Sequence, residues 1–347
     1  MALKTVLVTG ANGYIGNAVA RSFVRAGWVT YGLIRSQGAA TQLAVEEIVP
    51  VVGSIDDVES HETIKKSLPP TLDAIVSTTE DIMDYIPHYT KTIELLRTLG
   101  AASSANGVRP LVIFTSGCKD YGMGPHYDGA AGLAPHTEES ELKPPAALAP
   151  RTTYAQKIFD HKDVFAPVLV RPINVYGRAS SFYQFFFTVA EGVSAARKLL
   201  PVPVPANSVC QAMHVDDCGD AYVALASHPD RVEVEGQVFN ISARRYETVD
   251  EIVKALVAEY HLPGLKYVEP NALAPGENPW PSMLIDFPQW TGSEKIRRVT
   301  GWSDHRPLFS EALHVYRIAY EGALTMKHGN IERIRMLGKF LWSSQEK

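Results

Sequence analysis

The 347-residue sequence lacks several features that would mark a secreted, metal-binding or nucleic-acid-binding protein. Its cysteines, Cys118, Cys210 and Cys218, have neither the spacing of metal ligands nor that of a disulfide framework, which favours a reducing, cytoplasmic setting. Lys and Arg number 33 against 38 Asp and Glu, a formal net charge of -5. This charge gives no reason to expect nucleic acid or an anionic membrane as a partner.

Long apolar runs and repeats are missing as well. No apolar run approaches the roughly 20 residues of a membrane-spanning helix, so we predict no membrane partner. Met1–Lys4 leads directly into the first predicted strand without the pattern of a signal peptide. His126 and His136 have no partner at ligand spacing, so we predict no metal site. The composition is that of an ordinary soluble protein, and the chain is long enough to bury a sizeable core.

The sequence does have a glycine-rich turn close to its start. An apolar run, Val6–Val8, leads to Gly10, Gly13 and Gly16, and apolar residues at helical spacing follow. Strand, glycine turn and helix in this order predict a dinucleotide site. We expect Gly10 to form the tight turn, Gly13 to let a pyrophosphate approach the helix start, and Gly16 to allow close packing of helix and strand. The alternative is a loop that happens to be rich in glycine.

The end of the second predicted strand bears on the choice of cofactor. This strand, Val29–Arg35, ends in Arg35 and Ser36, with no acid until Glu46. A Rossmann unit usually has an acid here for the ribose 2′-hydroxyl of NAD, or an Arg for the 2′-phosphate of NADP. A guanidinium pairs with that phosphate, whereas a carboxylate repels it. We therefore predict NADP, with NAD as the second choice; the alternative is that Arg35 is a solvated surface residue.

Later strands alternate with helices, a pattern that predicts a parallel, doubly wound sheet. The further strands are predicted at 48–52, 73–77, 111–116 and 168–177. Ligands of such sheets bind beyond the carboxyl ends of the strands. Ser116 stands at such an end, where it either hydrogen-bonds a substrate oxygen or merely satisfies a turn. The aromatic-rich helix predicted at 182–198 supplies core residues and could also wall an apolar pocket.

Four motifs together carry a resemblance to a known family. They are Thr9–Gly16, Arg171–Gly177, His214–Asp217 and Ser293–Trp302. The chain resembles, over almost its whole length, the extended short-chain dehydrogenase/reductase family, the nicotinamide-dependent epimerase/dehydratase group. This resemblance implies an α/β fold with a doubly wound parallel Rossmann sheet and a smaller mixed C-terminal substrate domain. We expect the NADP-binding domain at 1–178, also receiving 212–243, and the substrate domain at 179–211 and 244–347.

The resemblance also implies catalytic residues. The family uses Tyr-x-x-x-Lys, with the phenol as acid/base and the lysine on the ribose, but here Tyr154 and Lys157 are only three residues apart. The position four before Lys157 is Thr153, whose hydroxyl cannot titrate usefully, whereas a phenol starts near pKa 10. We predict that Tyr154, with the helix start shifted, or another hydroxyl gives the proton. Lys157 would hold the ribose, and Ser116 would orient the substrate carbonyl.

A set of residues around these motifs is predicted to contact the cofactor. They are Gly10, Asn12, Gly13, Tyr14, Ile15, Gly16, Arg35, Ser36, Ser54, Ile55, Lys157, Pro172 and Val175.

Two departures from the family pattern reduce the range of substrates that we expect for this protein. Cys118 and Lys119 stand where dehydratases of the family have Asp and Glu. Cys210 stands where nucleotide-sugar members have an Arg for the diphosphate, which favours a different, smaller substrate.

Three functions are compatible with this pattern. The first is an NADP-dependent oxidoreductase of the carbonyl/alcohol reductase type, acting on a small, fairly apolar molecule. The second is a non-redox isomerase, epimerase or cyclase that keeps the cofactor-binding fold. The third is a non-enzymatic NADP-binding sensor, because fold alone does not settle function. In each case we expect a cytoplasmic protein with a small-molecule partner, as a monomer or a homodimer.

Overall fold

The computed structural model describes residues 3–273, 277–281 and 283–343. The strands of this part are β1 (Thr5–Thr9), β2 (Val29–Ile34), β3 (Val49–Val52), β4 (Ala74–Ser77), β5 (Leu111–Thr115), β6 (Ala166–Pro172), β7 (Asn174–Tyr176), β8 (Leu200–Val202), β9 (Val209–Cys210), β10 (Ala212–His214), β11 (Val238–Ile241), β12 (Glu247–Thr248) and β13 (Leu265–Tyr267). The α-helices are α1 (Tyr14–Arg25), α2 (Ala40–Val45), α3 (Glu59–Lys66), α4 (Tyr85–Ala105), α5 (Ala149–Ala155), α6 (Gln184–Ala196), α7 (Val215–Ala226), α8 (Val249–Glu259), α9 (Glu294–Thr300), α10 (Leu313–Thr325) and α11 (Gly329–Ser343).

Seven parallel strands form the central sheet, in the order β3-β2-β1-β4-β5-β6-β11. This is the 3-2-1-4-5-6 order of doubly wound dinucleotide-binding folds, with β11 added at one edge. The predicted doubly wound parallel sheet is thus confirmed. Within the segment 212–243, β11 joins this sheet beside β6, whereas β10 pairs with β7 in a separate two-stranded sheet.

Side-chain alternation divides the core of this sheet between its two faces. Val6 and Val8 belong to one buried cluster, and Leu7 between them belongs to another. Helices α1 and α7 cover the first face with residues such as Phe23 and Tyr222, and α4 covers the second. Because both faces are covered, the strands are apolar along their length rather than alternating with polar residues.

A third buried cluster lies outside the central sheet. It is built from α6, α8 and α10 together with two-stranded sheets, and it includes Phe186, Phe187, Phe309 and Tyr320. Ile331 joins this cluster from α11, so the last described helix is packed onto the second half of the chain. Among the residues the structure describes, no helix is both long enough and apolar enough to span a membrane.

Candidate cofactor and substrate site

The turn between β1 and α1 can be made only by glycine. Gly10 has a φ of 65°, in the left-handed region that side chains disfavour. A Cβ on Gly16 would lie 2.2 Å from the carbonyl oxygen of Gly10, and a Cβ on Gly13 would lie 2.9 Å from the same oxygen. The missing side chains let the start of α1 pack directly against the end of β1 and leave an open cradle above the turn.

The start of α1 points its free amides into this cradle. Gly13 is the N-cap residue, and no side chain in the described part of the protein caps the helix. The first N–H groups of an α-helix have no partner within the helix, and the helix dipole adds positive potential there. The Tyr14 hydroxyl donates to the Gly177 carbonyl at 2.5 Å, which fixes the turn against the exit of β7. The cradle therefore fits the pyrophosphate of a dinucleotide.

A cavity of about 560 Å³ extends from this turn along the carboxyl ends of the strands. The predicted cofactor residues that line it are Gly10, Asn12, Gly13, Tyr14, Ile15, Gly16, Arg35, Ile55, Pro172 and Val175. Ser36, Ser54 and Lys157 are not among its lining residues. The backbone amide of Ser54 donates to Ser60 Oγ at 3.1 Å, and its hydroxyl accepts from the Asp56 amide at 3.2 Å. Ser54 is thus used in the turn that precedes α3.

Part of the cavity wall is apolar. Phe182 and Phe185 line it, with their ring centroids 6.5 Å apart, together with Met283, Leu284 and Leu337. Their neighbours Tyr183, Phe186 and Phe187 are fully buried in the third cluster instead. Both expectations for the aromatic segment therefore hold, since some of its rings form core and others wall a pocket.

Ser116 lies at the carboxyl end of β5 and lines the cavity, but its hydroxyl hydrogen is already used. Its Oγ donates to Oδ2 of Asp120 at 2.5 Å. Asp120 is 1% exposed, and it also accepts from Thr152, from Arg151 at 2.9 Å and from Arg171 at 3.2 Å. These donors fill the acceptor sites of the carboxylate. Ser116 is therefore held in one orientation by a buried charged network.

Tyr154 and Lys157 are not brought to the cavity. The Tyr154 ring packs edge-on against Tyr89, at 5.4 Å between centroids, in the cluster on the far face of the sheet. The Lys157 ammonium lies 3.9 Å from the centroid of the Tyr154 ring. The chain tightens from α5 into a 3₁₀-helix at Gln156, and residues three apart eclipse in such a helix. Arg151, one turn earlier than Tyr154, is the α5 side chain that lines the cavity beside Gly117.

Lys119 is a titratable cavity residue that the sequence pattern did not single out for catalysis. It lies near Ser116, and its ammonium is 3.7 Å from the centroid of the Phe287 ring and 3.4 Å from the Met283 carbonyl oxygen. Burial lowers the pKa of Lys119 to about 8. An amine with this pKa exchanges protons near neutral pH, so it is chemically suited to acid/base work.

The cysteines are buried, and two of the histidines lie close together. Cys118, Cys210 and Cys218 are buried and free. His126 and His136, ten residues apart in the sequence, lie together with ring centroids 4.8 Å apart. Both nitrogens of His126 contact the backbone, and no group of three or more ligating side chains within the described residues is arranged to hold a metal.

Several residues that line the cavity were not predicted as site residues from the sequence. They are Thr78, Thr79, His88, Lys119, Arg151, Gln289 and Arg333. His88 joins the wall near Ile55 through contacts to Asp56 at 3.1 Å and Thr79 at 3.2 Å. Strand-end positions such as Thr78 follow from the sheet topology, but no local signal points to the residues of later helices.

Fold and site together define a Rossmann-type α/β protein whose glycine turn opens into a large cavity. The chain belongs to the NAD dependent epimerase/dehydratase family, whose model matches residues 6–242. The predicted family resemblance is therefore confirmed. The match includes the glycine turn, the Arg171–Gly177 motif and the His214–Asp217 motif.

Solved structures of low sequence identity share this fold. The chain is similar to UDP-glucose 4-epimerase from Stenotrophomonas maltophila, solved with NAD and formylated UDP-arabinopyranose, at 16% identity and a TM-score of 0.69 over 94% of this chain and 100% of that one. UDP-glucose 4-epimerase from Thermotoga maritima, solved with UDP-glucose, is 18% identical with a TM-score of 0.68 over 92% of this chain and 99% of that one. An uncharacterized protein of Schizosaccharomyces pombe is 35% identical over 63 residues, which span 18% of this chain and 20% of that protein.

Proposed function

We propose that this protein is an NADP-dependent oxidoreductase that interconverts a small, fairly apolar carbonyl compound and its alcohol. The observation that carries the proposal is a single cavity whose lining includes the glycine turn, Ser116, Lys119 and apolar side chains such as Phe182. A cofactor bound on the turn would supply a hydride to the carbonyl carbon, or accept one from the alcohol. A pocket walled by Phe182 and Phe185 suits an apolar substrate.

Arg35 supports the preference for NADP. It follows the end of β2, it is exposed to the cavity, and within the described ranges it has no carboxylate at ion-pair distance. A free guanidinium can bind a 2′-phosphate through two parallel hydrogen bonds. The Stenotrophomonas epimerase of the same fold was solved with NAD, so the preference for NADP depends on this arginine.

We assign proton transfer to Lys119 rather than to Tyr154. Lys119 lines the cavity and Tyr154 does not. In the reductive direction the ammonium would give its proton to the carbonyl oxygen while the carbon gains a hydride, and the neutral amine would regain a proton from water. A pKa of about 8 leaves both forms of the amine populated near neutral pH.

Ser116 would orient the substrate. Because its hydrogen is donated to Asp120, its oxygen presents lone pairs to the cavity. It would therefore accept a hydrogen bond from the hydroxyl of an alcohol more readily than it would donate one to a carbonyl. This role matches the predicted position of Ser116 at the substrate but reverses the direction of its hydrogen bond.

An epimerase is the second candidate, because the family includes epimerases and both solved structures described above carry that name. A nucleotide-sugar substrate is disfavoured by Cys210, which is 5% exposed and packed against Tyr183, with Sγ 3.5 Å from its hydroxyl. A buried thiol there offers no charge to a diphosphate. An epimerase of this chain would need another anchor for its substrate.

The test begins with calorimetric titration of the pure protein with NADPH and with NADH. NADPH absorbance is then followed with a panel of apolar aldehydes and ketones. Oxidation of NADPH by one of these substrates, with tighter binding of NADPH than of NADH, is the expected result. Turnover of a substrate without any net change in nicotinamide absorbance would favour the epimerase, and binding without any turnover would favour a sensor.

A further inference from the structure

Arg333, on the late helix α11, reaches back to the glycine turn at the start of the chain. Its Nη1 and Nη2 atoms lie 3.5 Å and 3.8 Å from the point where a Cβ on Gly13 would stand. Arg333 lines the cavity together with Ile334 and Leu337 of the same helix. The cradle over the first turn of α1 therefore has a guanidinium as part of its wall.

No carboxylate among the described residues neutralises this guanidinium. Its Nη2 donates to Oδ1 of Asn330 at 2.6 Å, which orients the side chain without supplying charge. No carboxylate of the described residues lies within 4 Å of Arg333 or of Arg35. The pKa of Arg333 is lowered by loss of solvent and by the like charge of Arg35. Two uncompensated cations facing one cavity would be relieved by an anion between them.

The helix that carries Arg333 is held firmly enough to place it. Ile331 is 1% exposed in the third cluster, and Nδ2 of Asn330 donates to the Ser180 carbonyl at 2.6 Å. On the other side of the helix, Arg335 contacts Glu332 at 3.0 Å and the Tyr320 hydroxyl at 3.2 Å. These contacts hold Arg335 away from the cavity, whereas Arg333 lies over the glycine turn.

We propose that Arg333 is a cofactor-binding residue, whose guanidinium pairs with the pyrophosphate of the dinucleotide opposite the amides of α1. The position of the guanidinium above Gly13 selects the pyrophosphate, whereas Arg35, past the end of β2, is left for the 2′-phosphate. Planar guanidinium groups bind phosphate oxygens through paired, charge-assisted hydrogen bonds. Helix α11 would then close the cofactor site from the second half of the chain. This inference rests on the proposed dinucleotide-binding function.

The first experiment compares cofactor affinities of Arg333→Gln and Arg335→Gln by calorimetry with NADPH and NADH. The Arg335 variant is the matched control, because it removes a guanidinium from the same helix without touching the cavity. Loss of a hydrogen bond to a charged group weakens binding by roughly tenfold to a hundredfold. We expect Arg333→Gln to weaken NADPH and NADH by similar factors of this size, and Arg335→Gln to leave both affinities unchanged.

The outcomes separate this inference from the function on which it rests. If the unmodified protein binds neither nucleotide, the proposed function itself fails. If the unmodified protein binds both and Arg333→Gln binds them equally well, the inference alone is overturned. A loss confined to NADPH would also overturn it, because the guanidinium would then contact the 2′-phosphate and not the pyrophosphate.

A second measurement does not depend on affinity alone. Hydrogen exchange of the backbone amides of 331–338 is followed with and without saturating NADPH. We expect the nucleotide to slow exchange in this segment at least severalfold in the unmodified protein and in Arg335→Gln, but not in Arg333→Gln saturated to the same level. Equal slowing in all three proteins would contradict a direct contact between Arg333 and the nucleotide.

Discussion

The Ser116 hydroxyl lies 2.5 Å from Oδ2 of Asp120 and donates to it, so the end of β5 is tied to a buried carboxylate. The same carboxylate pairs with Arg151 and Arg171, which stand on two other segments. A single charged side chain thus connects the strand end, the following helix and the next strand. The positions of the cavity residues Ser116 and Arg151 therefore depend on Asp120.

Replacing Asp120 with Asn is therefore expected to destabilise the fold. The change would leave the guanidiniums of Arg151 and Arg171 without a buried counter-charge, at a cost of about 3–5 kcal/mol. Urea unfolding followed by circular dichroism measures this loss. Asp163→Asn is the control, because that carboxylate is exposed and pairs only with Arg97 at the surface, so its midpoint should not move. Equal midpoints for both variants would refute the structural role of Asp120.

Lys119 gives a prediction about pH. Burial lowers the pKa of its ammonium to about 8, so the protonated form falls away as pH rises through 8. The reduction rate should therefore decrease above pH 8 and the oxidation rate should increase, since oxidation needs the neutral amine. Lys119→Met should lose most of the activity, by a factor of about a hundred or more, and any residual rate should lack this transition. Lys157→Met should keep the full profile; loss of the profile there would contradict the assignment.

Tyr154→Phe is expected to change the turnover number by less than about twofold. The ring packs against Tyr89 on the far face of the sheet, and Phe preserves that packing. A phenol acting as the proton donor would instead cost a factor of about a hundred or more. Steady-state kinetics at saturating cofactor distinguishes these results, and the larger loss would restore the role that the family pattern gives to this tyrosine.

Arg35→Ala should weaken NADPH far more than NADH. The side chain contributes charge only where a 2′-phosphate is present, and one charge-assisted pair is worth roughly tenfold or more in affinity. Calorimetric dissociation constants for both nucleotides provide the measurement. Arg25→Ala serves as the control. Arg25 lies at the C-terminal end of α1, away from the glycine turn, and pairs with Asp220, so both affinities should stay unchanged. Parallel losses for the two nucleotides would argue against NADP.

Gly16→Ala should disrupt the turn itself. The added Cβ would stand 2.2 Å from the Gly10 carbonyl oxygen and 2.6 Å from Thr78 Oγ1, so backbone must shift, at a cost of about 1–3 kcal/mol. Gly192→Ala, inside α6 with nothing within 4 Å of the new atom, should stabilise by about 0.5–1 kcal/mol. Thermal unfolding of the two variants should therefore shift in opposite directions.

Sequence patterns were enough to predict the features that depend on neighbouring residues. The positive φ of Gly10, the alternation of strands and helices and the family motifs were all readable, and the sheet follows from them. Even the division of the aromatic segment into core and pocket wall was anticipated. These features depend on residues close together along the chain or on the repeat of the backbone.

The remaining features depend on contacts between distant segments. Lys119 has a low pKa because Phe287 and other late residues cover it, and its own neighbours in sequence do not reveal this. Tyr154 packs against Tyr89 of α4 instead of lining the cavity, and the motif spacing did not show this contact between two helices. Arg333 meets Gly13 only after α11 has docked, so no window of sequence contains the pair.

The joining of Gly13 and Arg333 has a consequence for synthesis on the ribosome. The glycine turn leaves the exit tunnel more than 300 residues before Arg333 does. At usual rates of translation this delay lasts tens of seconds. With Arg333 as the proposed ligand of the pyrophosphate, nascent chains would pass that interval with a nucleotide site that lacks one of its charged groups. Nicotinamide nucleotides would then bind and stabilise them less until the last described helix had emerged.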